Sequence, residues 1–314
     1  MLSDYLDKLH NLKTDKNRNR WSALTTHRAP HKPFLLLSVL DLVAQNEISS
    51  TLIEPSFELA ESFARYWSCI MPPEKIGNMA YPFFYMQSEG FWELVPLPGC
   101  EEAVRQQISS MSRMRQVAAG ARIDEELFLL MQEPEPREQL KLALIQTYFA
   151  PEIQAKLLEE GQVNQEAFAY SQELLKAQNV PAEETKPLVR DQGFRKAIIR
   201  LYEHRCALCG VRMLTPEGHT IVEAAHIVPW AESHDDRPTN GLALCRLCHW
   251  SFDEGLMGVG RDYEVLISPV ARSDRNNPGL FMTLENRPIF KPDQEQYIPS
   301  QERLGWHRKE RFRT

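Results

Sequence analysis

Four cysteines in the C-terminal half of the chain have the spacing of a metal site. They form two Cys-x-x-Cys pairs, Cys206 with Cys209 and Cys245 with Cys248. Two such pairs supply four thiolates, a common ligand set of a closed tetrahedral zinc centre. In a reducing compartment this pattern indicates metal binding rather than disulfides. The spacing therefore predicts a structural zinc that stabilises a region with little core of its own.

Two histidines and an asparagine lie among these cysteines. His226 is in EAAHIVPW (223–230), Asn240 in TNGLALC (239–245) and His249 in CHWSFDEGL (248–256). In this order, together with the cysteine pairs, these motifs resemble the HNH endonuclease family, over residues 190–265. The resemblance implies a ββα-metal fold and DNA hydrolysis with one divalent ion, leaving a 5'-phosphate and a 3'-hydroxyl.

The residue types suit that chemistry. Phosphodiester hydrolysis needs a base for the attacking water, a cation near the phosphate and stabilisation of the leaving oxygen. Imidazole titrates near neutral pH, so we expect His226 to be the base. Asn240 is predicted to hold its loop and orient that imidazole. His249 is predicted to bind a catalytic Mg2+ or Mn2+.

One position departs from the family pattern. Many relatives carry Asp directly before the first histidine as a second metal ligand, whereas this chain has Ala225. Glu223 lies two residues earlier, on the same face of a strand, and is a candidate replacement. Asp253, one helical turn after His249, is another.

Charge and composition limit the class of protein. The 314 residues are 43% hydrophobic, carry a net charge of -7 and suffice for two globular domains. The acidic excess lies in residues 120–187, while residues 1–35 and 300–314 are basic, which is compatible with phosphate contacts on particular faces. The sequence has no apolar run of transmembrane length and no signal-peptide pattern at its start. We therefore expect a cytoplasmic protein with no membrane partner.

Composition and periodicity predict an α+β fold. A largely helical, mixed N-terminal domain is expected over 1–165, an acidic linker over 166–189, the zinc-stabilised nuclease over 190–290 and a basic tail over 291–314. Residues 31–46, 101–119 and 136–178 are predicted to be helical. The aromatic stretch 81–96 is predicted to form two short strands joined by a turn.

The N-terminal domain has a resemblance of its own. The segments APHKPFLLL (29–37), YPFFYMQSEGFWEL (81–94) and ARIDEELFLLMQEPEPREQL (121–140) resemble the sulfur-binding domains of McrA-like type IV restriction enzymes. That resemblance implies binding to double-stranded DNA with phosphorothioate in its backbone. Sulfur is larger, more polarisable and a poorer hydrogen-bond acceptor than oxygen, so an apolar cup suits it while the phosphate oxygens still need donors.

The resemblance assigns DNA contacts to particular positions. Tyr81 and Pro82 are predicted to wall the sulfur cup, and Tyr85 stands where relatives are expected to have a smaller residue, which alters the shape of the pocket. The predicted polar contacts to DNA are those of Arg28, His31 and Lys32. The neighbouring aromatic residues of 81–96 are expected to pack in the core.

Two other functions fit the same sequence. The nuclease could read another mark, such as a methylated base, or a plain sequence. Alternatively, the chain could be a zinc-stabilised DNA-binding protein without nuclease activity, a reading that Ala225 keeps open. A homodimer would be one way to cut both strands, because one HNH centre cuts one strand.

Overall fold

The computed structural model describes residues 1–176, 185–273 and 279–314, which fall into two compact units. The first contains residues 1–165 and 215–219, and the second contains 166–214 and 220–314. Helices and short antiparallel strands occur in both units, which confirms the predicted α+β class.

The first unit is mainly helical. Its elements are α1 (Leu2–His10), α2 (His31–Ala44), β1 (Leu52–Ile53), α3 (Phe57–Ile70), α4 (Ala80–Tyr85), β2 (Trp92–Pro96), α5 (Met111–Val117), β3 (Ala118–Ile123), α6 (Glu125–Gln132), α7 (Pro134–Tyr148) and α8 (Pro151–Leu175), the last of which continues into the second unit. Helix α2 is buried from Lys32 to Val43 and packs against α3, α4, α6 and α7. A helix that is apolar on nearly every side must be enclosed, so α2 is the centre of this core.

The predicted hairpin over 81–96 is wrong. Residues Ala80–Tyr85 form helix α4, Met86–Glu89 form a 3-10 turn, and strand β2 covers only Trp92–Pro96. Ala80, Pro82, Phe83 and Met86 are buried while Tyr81 and Tyr85 are exposed, so the segment has one buried face and one exposed face at helical spacing. Pro82 fits because it lies in the first helical turn, where a missing N–H costs nothing.

The predicted helix over 101–119 is confirmed only for Met111–Val117. Strand β3 begins at Ala118 and lies between β1 and β2 in an antiparallel sheet with the order β1-β3-β2. A Cβ on Gly120 would lie 2.5 Å from the backbone oxygen of Ile53, so this crossing requires glycine. Pairing with two strands outweighs the helix-favouring composition of this stretch.

The second unit contains the cysteines and the HNH residues. Its further elements are α9 (Pro187–Leu201), β4 (Val222–His226), α10 (Trp230–Ser233), β5 (Gly241–Cys245), α11 (Arg246–Asp253), β6 (Met257–Val259), β7 (Val265–Ile267), α12 (Pro269–Ser273), α13 (Gly279–Leu284) and α14 (Gln301–Glu310). Strands β4 and β5 are antiparallel, and α9 and α11 both pack against them. This strand pair followed by α11 is the ββα arrangement that the HNH resemblance implies.

The segments predicted to be a linker and a basic tail both contain helix. Helix α8 includes residues 166–175, the first part of the segment expected to be a linker, and residues 177–184 of that segment lie outside the described residues. The segment expected to be a basic tail includes α14, whose Leu304 and His307 are buried and which packs against β6. Residues 301–310 are therefore part of the folded second unit.

Candidate active site and zinc centre

The four cysteines come together at one point of the second unit. Their sulfur atoms all lie within 4.8 Å of one another, and the Sγ atoms of Cys209 and Cys245 are 3.7 Å apart. Zn–S bonds of about 2.3 Å place the sulfurs of a tetrahedron roughly 3.8 Å apart, so this donor set fits zinc. The knuckle closes because Gly210 has φ of 76° and donates its N–H to the backbone oxygen of Cys206. These contacts support the predicted structural zinc.

His226 is the last residue of β4 and pairs with Gly241 of β5. Its ring stacks on Phe194 of α9, with centroids 3.9 Å apart and an interplanar angle of 5°. Its Nε2 lies 2.7 Å from Oδ1 of Asp236. A Cβ on Gly241 would be 2.3 Å from Cδ1 of Ile198, which explains why the strand opposite His226 begins with glycine. The imidazole is thus held by stacking on one face and by a carboxylate at its edge.

Asp236 is a buried anion in its own hydrogen-bonded setting. It is only 3% exposed, and its Oδ2 accepts a 2.8 Å hydrogen bond from the hydroxyl of Tyr170. Nε of Arg190 lies 3.8 Å from the same oxygen. Burial, with the Asp236 charge adding to it, raises the pKa of Tyr170 well above its usual value, so the hydroxyl keeps its proton and donates. A buried carboxylate held by these partners can orient the histidine.

The sequence reasoning did not identify Asp236. A signal was present, because the acidic pair at 235 and 236 lies in the loop between His226 and Asn240. The spacing of ten residues from His226 does not reveal contact, however, since loop conformation determines which carboxylate turns inward. Asp235 instead pairs with Arg237 and Arg303.

Asn240 holds the loop between β4 and β5. The residue is fully buried, and its Oδ1 accepts from the N–H of Val228 at 2.9 Å. Its Nδ2 donates to the backbone oxygens of Val228 and Asp235, at 3.0 and 2.9 Å. These contacts connect the two ends of the loop, and the catalytic role predicted for Asn240 stays a prediction. The orienting hydrogen bond of the His226 ring comes from Asp236 rather than from the Asn240 amide.

His249 lies on α11 between two carboxylates. Its Nδ1 is 3.2 Å from Oε2 of Glu223, and its Nε2 is 3.5 Å from Oδ2 of Asp253. Ala225 is buried and pairs with Leu242 in the sheet. Burial raises the pKa of the Asp253 carboxyl, and the positive charges of His249 and Arg311 oppose that rise. Both candidate replacements for the usual Asp therefore contact the same imidazole, at different nitrogens.

A groove of about 390 Å3 joins the two histidines. Its lining includes His226, His249 and Asp253 together with Trp306 and Arg311 of the C-terminal segment. Glu223 is not among the groove residues. The His226 imidazole, the His249 imidazole and the Asp253 carboxylate thus line one groove, and groups of these types can serve metal-assisted hydrolysis.

The predicted DNA contacts of the first unit divide into exposed and buried residues. Tyr81 and Tyr85, one helical turn apart on α4, are exposed, whereas Pro82 between them is buried. The Arg28 guanidinium lies 5.7 Å from the ring centroid of Tyr148. Exposed aromatic rings one turn apart offer an apolar surface next to solvent.

Lys32 is buried and His31 is partly buried. His31 lies between Trp21 and Trp67, with ring centroids 5.3 and 4.7 Å away, and burial lowers its pKa to about 4. Lys32 pairs with Glu89 and donates to Oγ of Ser88 at 3.0 Å; burial lowers its pKa. Neither side chain presents a free charge at the surface in this structure.

Comparison with known families accounts for both units. A family model described as "ScoMcrA-like, DNA sulfur-binding domain" matches residues 3–165, which is more than half of the chain. The chain belongs to this sulfur-binding-domain family. A second model, described as HNH endonuclease, matches residues 206–260 and includes the four cysteines, His226 and His249. Both resemblances inferred from the sequence are therefore confirmed, and the chain combines a DNA sulfur-binding domain with an HNH endonuclease domain.

Other comparisons add little. A solved structure titled "Modification dependent TagI restriction endonuclease" shares 22% sequence identity, over 37% of this chain and 36% of that chain, with a TM-score of 0.28. That score is too low to establish a shared fold, and the match spans well under two thirds of the other protein. A search of curated proteins finds no match. Within the described residues, every helix is too short or too polar to span a membrane.

Proposed function

We propose that this protein is a modification-dependent DNA endonuclease of the restriction type. Its N-terminal sulfur-binding domain selects DNA that carries a backbone phosphorothioate, and its HNH domain hydrolyses phosphodiester bonds. The nuclease part of the proposal rests on one observation. His226, held by buried Asp236, lines the same groove as His249. The family match over residues 3–165 supports the choice of modified DNA.

His226 is the general base in this proposal. The Asp236 carboxylate can only accept at Nε2, so Nε2 carries the ring proton and Nδ1 keeps the lone pair. That nitrogen takes a proton from the attacking water, and Asp236 stabilises the imidazolium that forms. Phe194 stacking prevents the ring from turning away. Asn240 acts indirectly, because its side-chain hydrogen bonds to Val228, Ser233 and Asp235 hold the loop that carries Asp236.

His249 and Asp253 are the residues we propose to hold the catalytic divalent ion. Asp253 lines the groove shared with His226, whereas Glu223 contacts the other ring nitrogen of His249. Histidine ligands commonly bind metal with one nitrogen while a carboxylate accepts from the other. Glu223 then orients His249, and Asp253 supplies the carboxylate missing at Ala225. A bound Mg2+ or Mn2+ would stabilise the negative charge that develops on the phosphate during hydrolysis.

In the sulfur-binding domain, we propose that Tyr81, Tyr85 and Arg28 contact the DNA directly. The two exposed rings offer a polarisable apolar surface for sulfur, and Arg28 offers donors for phosphate oxygens or base edges. Pro82 fixes the first turn of α4 between the two rings. His31 and Lys32 support the site from inside, through the Trp21 and Trp67 rings and through Glu89.

A paired experiment tests both halves. Matched duplexes with and without a phosphorothioate are incubated with wild-type protein and with His226→Ala, in Mg2+ and in Mn2+. We expect cleavage of the modified duplex by wild type, no cleavage by His226→Ala, and equal binding of the modified duplex by both proteins. Equal cleavage of both duplexes would refute sulfur selection and favour a nuclease that reads another feature. Tight binding without cleavage in either metal would favour a zinc-stabilised DNA-binding protein.

A further inference from the structure

The wall of the catalytic groove is made from two distant parts of the sequence. His226, His249 and Asp253 lie on one side, within the HNH match at 206–260. Trp306 and Arg311 also line it, and they lie beyond that match. The C-terminal segment is therefore adjacent to the proposed reacting phosphate, although the family match assigns it no part of the HNH domain.

This segment is attached to the helix that carries His249. The His307 ring stacks on Phe252 of α11 at 3.6 Å between centroids, and its Nε2 donates to the backbone oxygen of Phe252 at 2.9 Å. The N–H of Arg313 donates to the backbone oxygen of Gly255 at 2.9 Å. Gly255 has φ of 67°, and a Cβ there would lie 2.0 Å from the backbone oxygen of Arg311. These contacts hold the Arg311 backbone in a defined place beside the end of α11.

The Arg311 guanidinium has more hydrogen-bond donors than its contact with Glu232 uses. Its Nη2 donates to Oε1 of Glu232 at 3.1 Å, and both side chains are nearly half exposed. An exposed pair of this kind contributes little stability, and guanidinium has five N–H donors of which this contact uses one. Phosphate, like carboxylate, accepts two parallel N–H bonds from arginine, and the single contact with Glu232 leaves enough donors on the guanidinium for such a pair. Glu232 therefore keeps the guanidinium at the rim of the groove and competes with phosphate for it.

We infer that the C-terminal segment forms the second wall of the DNA-binding groove and that Arg311 binds a backbone phosphate there. The inference rests on the proposed nuclease function, because that function places the cleaved phosphodiester bond in this groove. Phosphate binding by Arg311 can nevertheless be measured without cleavage. Arg311 is a binding residue in this proposal, and its contact with the backbone positions the strand against His226 and His249.

The chain offers a matched control. Arg313 lies two residues further on, is also about half exposed, and pairs with Glu254 at 2.6 Å. It is not among the residues that line the groove. Arg311→Gln and Arg313→Gln therefore remove the same charge and the same kind of surface ion pair, and they differ in position relative to the groove.

Binding is measured in the full-length His226→Ala background, so that DNA stays intact, by titrating a phosphorothioate duplex at several salt concentrations. Each phosphate contact contributes about 0.9 to the slope of log affinity against log salt concentration. We expect Arg311→Gln to reduce the slope by about 0.9 and Arg313→Gln to leave it unchanged. In the enzyme with His226 intact, Arg311→Gln should lower kcat/KM by about 10- to 150-fold, the usual effect of losing a hydrogen bond to a charged group. Arg313→Gln should cleave at the wild-type rate.

Equal effects of the two arginine variants on both measurements would overturn the inference. If the wild-type protein binds DNA but does not cleave it, the nuclease proposal fails. The dependence of affinity on salt concentration then still decides whether Arg311 binds a phosphate. If Arg311→Gln lowers the melting temperature, Glu232→Gln decides instead, because it frees the guanidinium without altering it. That variant should bind DNA more tightly than its parent, and an unchanged or weaker affinity would refute phosphate binding by Arg311.

Discussion

Replacing Asp236 with alanine should slow DNA cleavage strongly while leaving the affinity for DNA nearly unchanged. Asp236 is buried behind His226 and accepts from its Nε2 at 2.7 Å, so it does not face the substrate. Its loss removes the group that fixes the tautomer of the base and stabilises the imidazolium formed when the base accepts a proton. The substitution should therefore lower kcat and leave KM nearly unchanged.

The size of this effect follows from the contact that is lost. A hydrogen bond to a charged group contributes about 1.5–3 kcal/mol. At about 1.36 kcal/mol for each factor of ten in rate, this corresponds to a loss of about 10- to 150-fold in kcat. Asp236→Asn keeps an acceptor oxygen but loses the charge, so its rate should lie between those of wild type and the alanine variant.

The measurement is single-turnover cleavage of a modified duplex at saturating protein, with the melting temperature recorded for each variant. Tyr170→Phe is the matched control, because it removes the 2.8 Å hydrogen bond to Asp236 and keeps the carboxylate beside His226. The control should retain most of the rate. If Asp236→Ala is folded and cleaves as fast as wild type, Asp236 does not position the base. If Tyr170→Phe loses as much rate as Asp236→Ala, the network is needed for folding rather than for orientation.

Three further predictions concern metals and pH. Cys209→Ser should release zinc, measured by a colorimetric chelator, and unfold the second unit, because structural zinc contributes on the order of 10 kcal/mol to such sites; a stable, zinc-free variant would contradict this. Asp253→Asn should weaken Mn2+ binding without DNA, measured by calorimetry, by more than Glu223→Gln does; the reverse order would make Glu223 the ligand. Burial lowers the pKa of His307 to about 4, against about 6.5 when unfolded, so only the unfolded chain gains this proton between those values. The free energy of unfolding should therefore fall by up to about 3 kcal/mol as pH drops from 6.5 to 4, and an identical decline in His307→Phe would contradict the assignment.

Sequence patterns were sufficient where chemistry is carried by residue type and short spacing. The two Cys-x-x-Cys pairs predicted a shared metal site, and their four sulfur atoms do lie together. Helix α2 followed from a long apolar run that must be buried. The prediction for the α4 segment is wrong because aromatic residues favour strands in general, whereas here one helical face packs in the core and Tyr81 and Tyr85 remain exposed.

Contacts between distant residues were decided by tertiary structure alone. The loop held by Asn240 turns Asp236 toward His226 and leaves its neighbour Asp235 with Arg237 and Arg303. Residue type does not distinguish two adjacent aspartates. Only the path of the backbone does so.

The sequence by itself thus determined that the chain has a four-thiolate metal site and an ordered set of HNH residues after a helical sulfur-binding domain. Tertiary structure decided which carboxylate supports His226, which carboxylate shares the groove with His249, and that Arg311 lies at its rim. The physical reason is the range of the interactions involved. Metal-ligand spacing and burial patterns are local properties of the chain, whereas a groove forms only when segments separated by many residues pack against one another.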